Sequence, residues 1–197
     1  NTAFLLAVKN TLLFTMLCIP VLIIIALLCA VALYKSKYGG IIKSAFLMPM
    51  ALPAVSVALV WRILFHSQGL LNHWLGNLGI AGNDWLNTGS AFGILFISYI
   101  WKNLGYDIVL WMAGLAGIST SIYEAARVDG AGEVQCFFYI TLPNLKSSLY
   151  TITVLSFLNS FKVFREAYLV AGDYPHESIY MMQHLFNNWF RGFSFDK

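Results

Sequence analysis

The stretch "NTLLFTMLCIPVLIIIALLCAVALY", from Asn10 to Tyr34, contains no charged side chain. A helix needs about 20 apolar residues to cross the roughly 30 Å hydrocarbon core of a bilayer, and this stretch is long enough. The composition agrees, because 59% of the 197 residues are hydrophobic and 11% are charged, against roughly a quarter charged in soluble domains. Since backbone polar groups in lipid must be satisfied within the segment, the sequence predicts an all-α membrane protein.

Three more apolar stretches predict a single transmembrane domain over residues 1–197, with spans at about 10–34, 42–65, 91–118 and 147–171. A further span is expected to start after Tyr180. The second span contains Pro49 and Pro53, which are tolerated where neighbouring helices or a cavity satisfy the freed carbonyls. Because the sequence begins at Asn1 rather than Met and stops inside an aromatic segment, we expect it to be an internal part of a longer subunit.

The positive charges between the spans predict the orientation. They flank the first and third connections: Lys35, Lys37 and Lys43 at the first, Arg127 and Lys146 at the third. The connection 66–90 has neither Lys nor Arg. By the positive-inside rule, the turn after the first span and the loop 119–146 face the cytoplasm, while the connection 66–90 faces outward. The loop 119–146 is longer than most helix connections, which favours a functional role for it.

The residues of this loop predict a short helix that ends at glycine. Hydroxyl groups from Ser119 to Ser121 can cap its start, Glu124 favours the positive end of the helix dipole, and two alanines follow. Gly130 and Gly132 then break the helix, and Pro143 lies near the first turn of the fourth span. From the residues alone, the loop is either an interfacial connector or a helix on which another protein docks.

A spaced pattern in the loop resembles a known signature. Glu124-Ala125-Ala126 is followed after three residues by Gly130, after nine more by Ile140, and after one more by Leu142-Pro143. This resembles the EAA motif of ATP-binding cassette importer permeases, whose loop forms a coupling helix that docks on the cytoplasmic ATPase. The resemblance implies the same coupling role here for a set of motif residues: Glu124, Ala125, Ala126, Asp129, Gly130, Ile140, Leu142 and Pro143.

Segments outside the loop are similar to the sugar-permease branch of that family. They are "KNTLLFT" (9–15), "LMPMALPAVSVALVWRILF" (47–65), "NDWLN" (83–87) and "WKNLGYDIVLWMAGLAGI" (101–118). One departure is "AGDYPHES" (171–178), where many relatives are richer in glycine. The resemblance implies the bundle of a type I importer permease in the plasma membrane of a bacterium or archaeon, with about four complete spans here out of six.

The same resemblance implies the partners. They are a second permease subunit, two ATPase subunits that bind ATP and Mg²⁺, an extracytoplasmic solute-binding protein, membrane lipid, and a sugar or oligosaccharide as substrate. No cofactor is expected in this chain. An importer of the same class for amino acids, phosphate or another polar solute is a rival, since the EAA motif is shared widely.

Ionisable residues inside spans are candidates for a substrate pathway, because placing them in the membrane is costly. Lys102 and Asp107 lie halfway along the third span with Gly105 between them. Their spacing does not put them on one face, so we expect an unwound or kinked segment there, or a span that starts later. Near the outer end of the fourth span, neutral groups that suit sugar hydroxyls stand beside charges that can pair or snorkel: Asn159, Ser160, Lys162, Arg165 and Glu166.

Several other functions are not supported by the sequence. His66 and His73 share a helix face at their spacing but lack a third metal ligand nearby. There is no phosphate-binding loop ending in Gly-Lys-Ser/Thr and no legible catalytic triad, so no catalytic residue is assigned. The net charge of +3 contains no basic block, which argues against nucleic acid. A membrane-embedded enzyme using Lys102 and Asp107 is the remaining rival of another class.

Overall fold

The computed structural model describes residues 2–34, 36 and 39–192, and all regular structure in these ranges is helical. This confirms the all-α prediction. Lys35 and Lys37, which enter the orientation argument, lie outside the described residues. In chain order the α-helices are α1 (Thr2–Tyr34), α2 (Gly39–Ala51), α3 (Ala54–Phe65), α4 (Leu70–Asn77), α5 (Ser90–Ala116), α6 (Thr120–Val128), α7 (Glu133–Cys136), α8 (Leu142–Asn144), α9 (Lys146–Ser160), α10 (Phe164–Ala171) and α11 (Met182–Arg191). A π-helix (Phe137–Thr141) and two 3₁₀ segments (Phe161–Val163 and Glu177–Ile179) lie between them.

Two helical stretches of the described chain are long and apolar enough to cross a membrane, Thr2–Tyr34 and Ala54–Asn77. There are three if Ser90–Ala116 and Thr120–Val128, whose directions differ by 67°, form one span. The division of the chain into four spans therefore stays a prediction. Helix α1 contains the whole of the first predicted span and Lys9 as well.

The second predicted span is not one helix. It divides at Leu52 and Pro53, between α2 and α3. Pro53 has φ −58° and ψ 143°, and its carbonyl accepts the N–H of Val57 at 3.1 Å as α3 begins. A proline disfavours helical geometry in the residue before it, which explains why the break falls at Leu52. Pro49, by contrast, is accommodated inside α2.

The fourth predicted span has three pieces. Helix α9 ends at Ser160, a 3₁₀ turn covers Phe161–Val163, and α10 continues to Ala171. A 3₁₀ stretch between α-helical pieces marks a local change in winding. Gly172 ends α10 with φ +78°, a value that glycine adopts without the penalty a Cβ would bring.

The chain divides into two compact units. The first contains residues 1–18, 51–101 and 158–197. Within it, the buried ring of Phe14 meets Tyr99 edge to face with 5.4 Å between centroids. Asn10 donates from Nδ2 to the carbonyls of Glu177 and Tyr180 at 2.6 and 3.0 Å. The ring contact holds α1 against α5, and the hydrogen bonds of Asn10 hold α1 against the segment that precedes α11.

The second unit contains residues 19–50 and 102–157. Its core is formed by one stripe of α1, the second half of α5, and two residues at and after the junction of α8 and α9. These residues are Ile19, Ile23, Ala26, Ala30, Ile108, Trp111, Met112, Leu115, Leu145 and Ile152. The indole of Trp111 is 1% exposed and donates from Nε1 to the carbonyl of Ile23 at 3.2 Å. The largest buried side chain of this core thereby has its polar atom satisfied.

The unwound segment expected around Gly105 is not found, because α5 is helical without interruption from Ser90 to Ala116. Gly105 has a different use within the second unit. A Cβ built on it would collide with the backbone carbonyl of Phe46 and lie 2.8 Å from the backbone nitrogen of Leu47. The glycine therefore lets α2 approach α5 backbone to backbone.

Candidate coupling site

The helix predicted in the loop 119–146 is α6, and its start differs from the prediction in two ways. Ser119 is the N-cap by backbone geometry, but its Oγ lies 2.8 Å from Oγ of Ser121 and accepts no backbone N–H. The predicted hydroxyl cap is therefore wrong at this residue. Because α6 begins at Thr120, Glu124 lies beyond the first turn, where the helix dipole has little effect.

The end of α6 follows the prediction and can be described as a Schellman motif. The N–H of Ala131 donates to the carbonyl of Ala126 at 2.8 Å, and that of Gly130 donates to Arg127 at 3.1 Å. Gly130, just after the C-cap Asp129, has φ +83°. This is the left-handed conformation that the motif requires and that glycine adopts most easily. Gly130 therefore sets where the helix ends and how the chain turns.

The segment after this turn is held by side chains close by in sequence. Gly132 has an ordinary φ of −76° and donates its N–H to Oε1 of Gln135 at 2.9 Å. Arg127 contacts Glu133 with 3.2 Å between Nη2 and Oε1. The two side chains are 60% and 64% exposed, and an ion pair this open to water contributes little to stability.

A π-helix connects α7 to α8. The N–H of Leu142 donates to the carbonyl of Phe137, five residues earlier. Pro143 follows directly in α8. In an α-helix its ring would crowd the carbonyl of residue 139 and leave that carbonyl without a donor, and a widened turn relieves both conflicts. Pro143 therefore lies in the short helix α8, before α9 begins at Lys146, and not in the first turn of α9.

Two consecutive hydrogen bonds join α6 to the π-helix. Tyr123 Oη lies 2.8 Å from Oγ1 of Thr141, and Thr141 Oγ1 donates to the carbonyl of Cys136 at 3.3 Å. Thr141 is 6% exposed. Because a threonine hydroxyl has a single proton, and that proton goes to Cys136, the phenol of Tyr123 is the donor toward Thr141.

The motif residues lie mainly on the surface. Ala126 and Ile140 are half-buried, while the other six are exposed. Four of the eight line one open hollow of about 390 Å³ together with Tyr139: Ala126, Asp129, Gly130 and Ile140. Ala125, Leu142 and Pro143 line neither this hollow nor the cavity beside it. Side chains that face outward in this way are suited to contact another protein rather than to fill a core.

A larger cavity of about 660 Å³ lies beside α6 on another side. Its lining is mostly apolar and comes from the end of α1, the end of α5, α6 and the π-helix. Glu124, Arg127 and Glu133 add charged groups to this lining, and Tyr123 and Thr141 belong to it as well. Glu124 is thus separated from the four motif residues of the hollow.

The surface of α6 and α7 is mainly negative. It has three carboxylates, Glu124, Asp129 and Glu133, against the single guanidinium of Arg127. Arg127 is occupied by Glu133. Within the described parts of the chain, no side chain forms a hydrogen bond or an ion pair with the carboxylates of Glu124 or Asp129. These two exposed groups are therefore available to a positively charged partner.

The candidate substrate-pathway residues are divided between the two units, and their role in substrate transport stays a prediction. Asp107 is 1% exposed and accepts a hydrogen bond on Oδ2 from Ser156 Oγ at 2.9 Å, within the second unit. Lys102, also in α5, is half-buried. The two side chains thus differ in surroundings, and Asp107 is enclosed rather than open to a cavity that could admit a sugar.

The candidates from 159 to 166 belong to the first unit. Lys162 Nζ donates to Asn159 Oδ1 at 2.9 Å, and both Lys162 and Arg165 are exposed. Ser160 is buried, with Oγ 3.4 Å from Thr15 Oγ1, and lines a cavity of about 20 Å³. Such a cavity has room for about one water molecule.

Glu166 lines a second cavity of about 20 Å³, together with Trp61. The indole nitrogen of Trp61 is buried and finds no hydrogen-bond acceptor in the described chain. A single water could accept this N–H. A sugar would need a far larger space, and the assignment of Glu166 to a substrate pathway stays a prediction.

Two residues with a direct contact across the site, Tyr123 and Thr141, were not predicted from the sequence. They are 18 positions apart, and no helical period relates them. A hydroxyl inside the apolar run "CFFYITL" is the one sequence signal that could have pointed to Thr141, because a buried hydroxyl needs a partner.

Comparisons with known proteins all find similarity to components of membrane transport systems. The family model described as binding-protein-dependent transport system inner membrane component matches residues 10–188. The chain is 33% identical over 177 residues to the arabinooligosaccharides transport system permease protein AraP of Bacillus subtilis, covering 86% of this chain and 56% of that protein. It is 35% identical over 143 residues to the trehalose/maltose transport system permease protein MalF of Thermococcus litoralis, covering 72% and 48%.

A solved structure is similar over the full length of the chain. It is the crystal structure of a bacterial ABC transporter involved in the import of the acidic polysaccharide alginate. The TM-score is 0.86 with 25% sequence identity, covering 100% of this chain and 71% of that chain. The chain spans about half the length of the two curated relatives named above.

Proposed function

The chain belongs to the family of binding-protein-dependent transport system inner membrane components, and we propose that it is the permease subunit of an ATP-driven importer for a sugar or oligosaccharide. It is an integral membrane protein with the fold of a type I importer permease. The observation that carries the proposal is the loop 119–146, in which Glu124, Ala125 and Ala126 lie on the short helix α6 and six of the eight motif residues are exposed.

The loop is proposed to face the cytoplasm and to dock on an ATPase subunit. Three features support this role: α6 is short, it ends at a defined glycine turn, and four motif residues line an open hollow beside it. The unpaired carboxylates of Glu124 and Asp129 suit a partner surface with positive charge. When ATP binding closes two ATPase subunits, α6 moves with the subunit that holds it, and the spans rock between inward-open and outward-open states.

The complete transporter is proposed to contain a second permease subunit, two ATPase subunits and an extracytoplasmic solute-binding protein. ATP and Mg²⁺ are bound by the ATPase subunits, and hydrolysis is assigned to them rather than to this chain. The family's description includes dependence on a binding protein. The substrate class is supported by the names of relatives, which concern arabinooligosaccharides, trehalose or maltose, and alginate.

The test is ATP hydrolysis by the full-length subunit in its complete complex, reconstituted in liposomes. The binding protein is added after loading with each of a panel of sugars, amino acids and anions. We expect hydrolysis to rise with one class of sugar and uptake of that sugar to accompany it. Flat rates with every sugar, and stimulation by an amino acid or an anion, would replace the sugar assignment by another polar solute while keeping the importer.

A further inference from the structure

Helix α6 is joined to the segment that follows it by two side-chain links of different strength. Tyr123 and Arg127 are neighbours on one face of α6, four residues apart. Arg127 pairs with Glu133 in the open, where water weakens the attraction. Tyr123 reaches Thr141, which is nearly inaccessible to solvent. The hydrogen bond at Thr141 is therefore the more effective of the two links.

Thr141 occupies the junction between the loop and α9. It is the last residue of the π-helix, and only α8 and Leu145 separate it from the start of α9 at Lys146. Its hydroxyl also donates to the carbonyl of Cys136 at 3.3 Å, at the start of the widened turn. A π-turn is rare and is often found at functional sites. A force applied at Thr141 thus acts on the irregular turn that leads into α9.

From this geometry we infer that the Tyr123–Thr141 hydrogen bond is the positioning link that transmits movement of α6 to α9. The inference rests on the coupling role proposed above and goes beyond it by naming two residues that are not among the fixed positions of the EAA motif. Tyr123 and Thr141 act through the helices they join and contact neither ATP nor substrate. Tyr123 and Thr141 both line the large cavity beside α6, and their hydrogen bond directly joins α6 to the π-helix there.

The test compares variants of the full-length subunit in the reconstituted complex. Tyr123→Phe and Thr141→Val each remove the hydrogen bond with little change of shape, and Thr141→Ser keeps the hydroxyl. The matched controls are Tyr150→Phe, whose side chain is 75% exposed on α9, and Thr153→Val, whose exposed hydroxyl donates within α9 to Leu149 at 2.7 Å. The measured quantity is solute transported per ATP hydrolysed.

We expect this ratio to fall roughly two- to tenfold in Tyr123→Phe and in Thr141→Val, the factor that the loss of one hydrogen bond makes in an equilibrium. The double variant should be no worse than Thr141→Val alone, which also loses the bond to Cys136. Thr141→Ser should recover most of the ratio, and both controls should match the unchanged protein. A ratio that stays constant while only the amount of assembled complex falls would assign the bond a purely structural role and overturn the inference.

A second measurement separates this inference from the function on which it rests. Amide hydrogen exchange in the assembled complex should be faster at residues 120–128 and 137–144 in Thr141→Val, and unchanged in Thr153→Val. Equal exchange in all variants would overturn the link. If the binding protein does not stimulate ATP hydrolysis by the complex without substitutions, the proposed function fails. The exchange data would still show whether the hydrogen bond joins α6 to the π-helix.

Discussion

At the residue scale, the two loop glycines that are both predicted to end α6 differ in backbone conformation. Gly130 has φ +83° and closes α6, while Gly132 has φ −76°, a value open to any residue. A Cβ on Gly130 would touch nothing within 4 Å, so its requirement for glycine is one of backbone angle and not of space. A Cβ on Gly132 would come no closer than 3.9 Å to Gln135.

This difference predicts opposite outcomes for matched substitutions. Gly130→Ala should cost about 1–2 kcal/mol, because a side chain must enter the left-handed region, and should lower transport per ATP. Gly132→Ala should change little. Gly130→Trp should uncouple hydrolysis from transport most strongly. The check is the melting temperature and the transport ratio of each full-length complex. Normal coupling in Gly130→Trp would show that the turn does not set the position of α6.

At the same scale, the position of Glu124 within its helix differs from the prediction. The sequence predicted that its charge stabilises the start of the helix, but α6 starts at Thr120 and places Glu124 in its second turn. Helix starts are hard to locate from sequence where several hydroxyl residues precede the helix, because each of Ser119, Thr120 and Ser121 could be the cap. The carboxylate is therefore free for a partner, which fits the motif better than a role within the helix.

At the scale of elements, the close approach of α2 and α5 depends on a missing side chain. Gly105 lies against the backbone of Phe46, while a Cβ added to Gly93 in the same helix would meet nothing within 4 Å. Both are glycines inside one long helix, where alanine is normally better by roughly 0.5–1 kcal/mol. Substitution of Gly105 and of Gly93 by alanine therefore compares the effect of close packing with the effect of helix propensity in the same helix.

We expect Gly105→Ala to destabilise the full-length subunit and Gly93→Ala to leave it equal or more stable. The clash at Gly105 involves backbone atoms of α2, which cannot rotate away as a side chain would, and overpacking of this kind costs about 1–3 kcal/mol. Thermal unfolding in detergent gives the sign and size of both effects. Equal melting temperatures for the two variants would mean that α2 moves aside at little cost.

The elements were predicted to different degrees, for identifiable reasons. Helix α1 was predicted because an uncharged run longer than a bilayer leaves no alternative. The break at Pro53 was not, because a proline inside an apolar run can either kink a helix or divide it. The π-helix and the Tyr123–Thr141 contact depend on how the chain returns after Gly130, and no local pattern contains that information.

At the scale of the whole molecule, the charge distribution predicts which side of the membrane each connection faces. The predicted cytoplasmic loop contains Val128, which is 88% exposed, and the connection predicted outside contains Leu78, which is 75% exposed. Both positions can report orientation without disturbing a core. The native Cys18 and Cys136 are buried and Cys29 is half-buried, so the unchanged chain serves as the background.

Single cysteines at these positions should react from opposite sides. In intact cells, an impermeant maleimide should label Leu78→Cys and not Val128→Cys, and in inside-out vesicles the result should reverse. The physical reason is the positive-inside rule, which holds loops rich in Lys and Arg in the cytoplasm. Labelling of Val128→Cys in intact cells would reverse the orientation and remove the loop from any contact with a cytoplasmic ATPase.

The outward-facing motif residues of the loop have a consequence for how such a protein changes over generations. Six of the eight motif residues are exposed, so little in this chain's own interior restricts them. Under the proposed function, the restriction comes from a groove encoded by a different gene. The specificity of docking is then encoded jointly by two genes. In a cell with several importers, paired substitutions in both genes can keep each permease bound to its own ATPase.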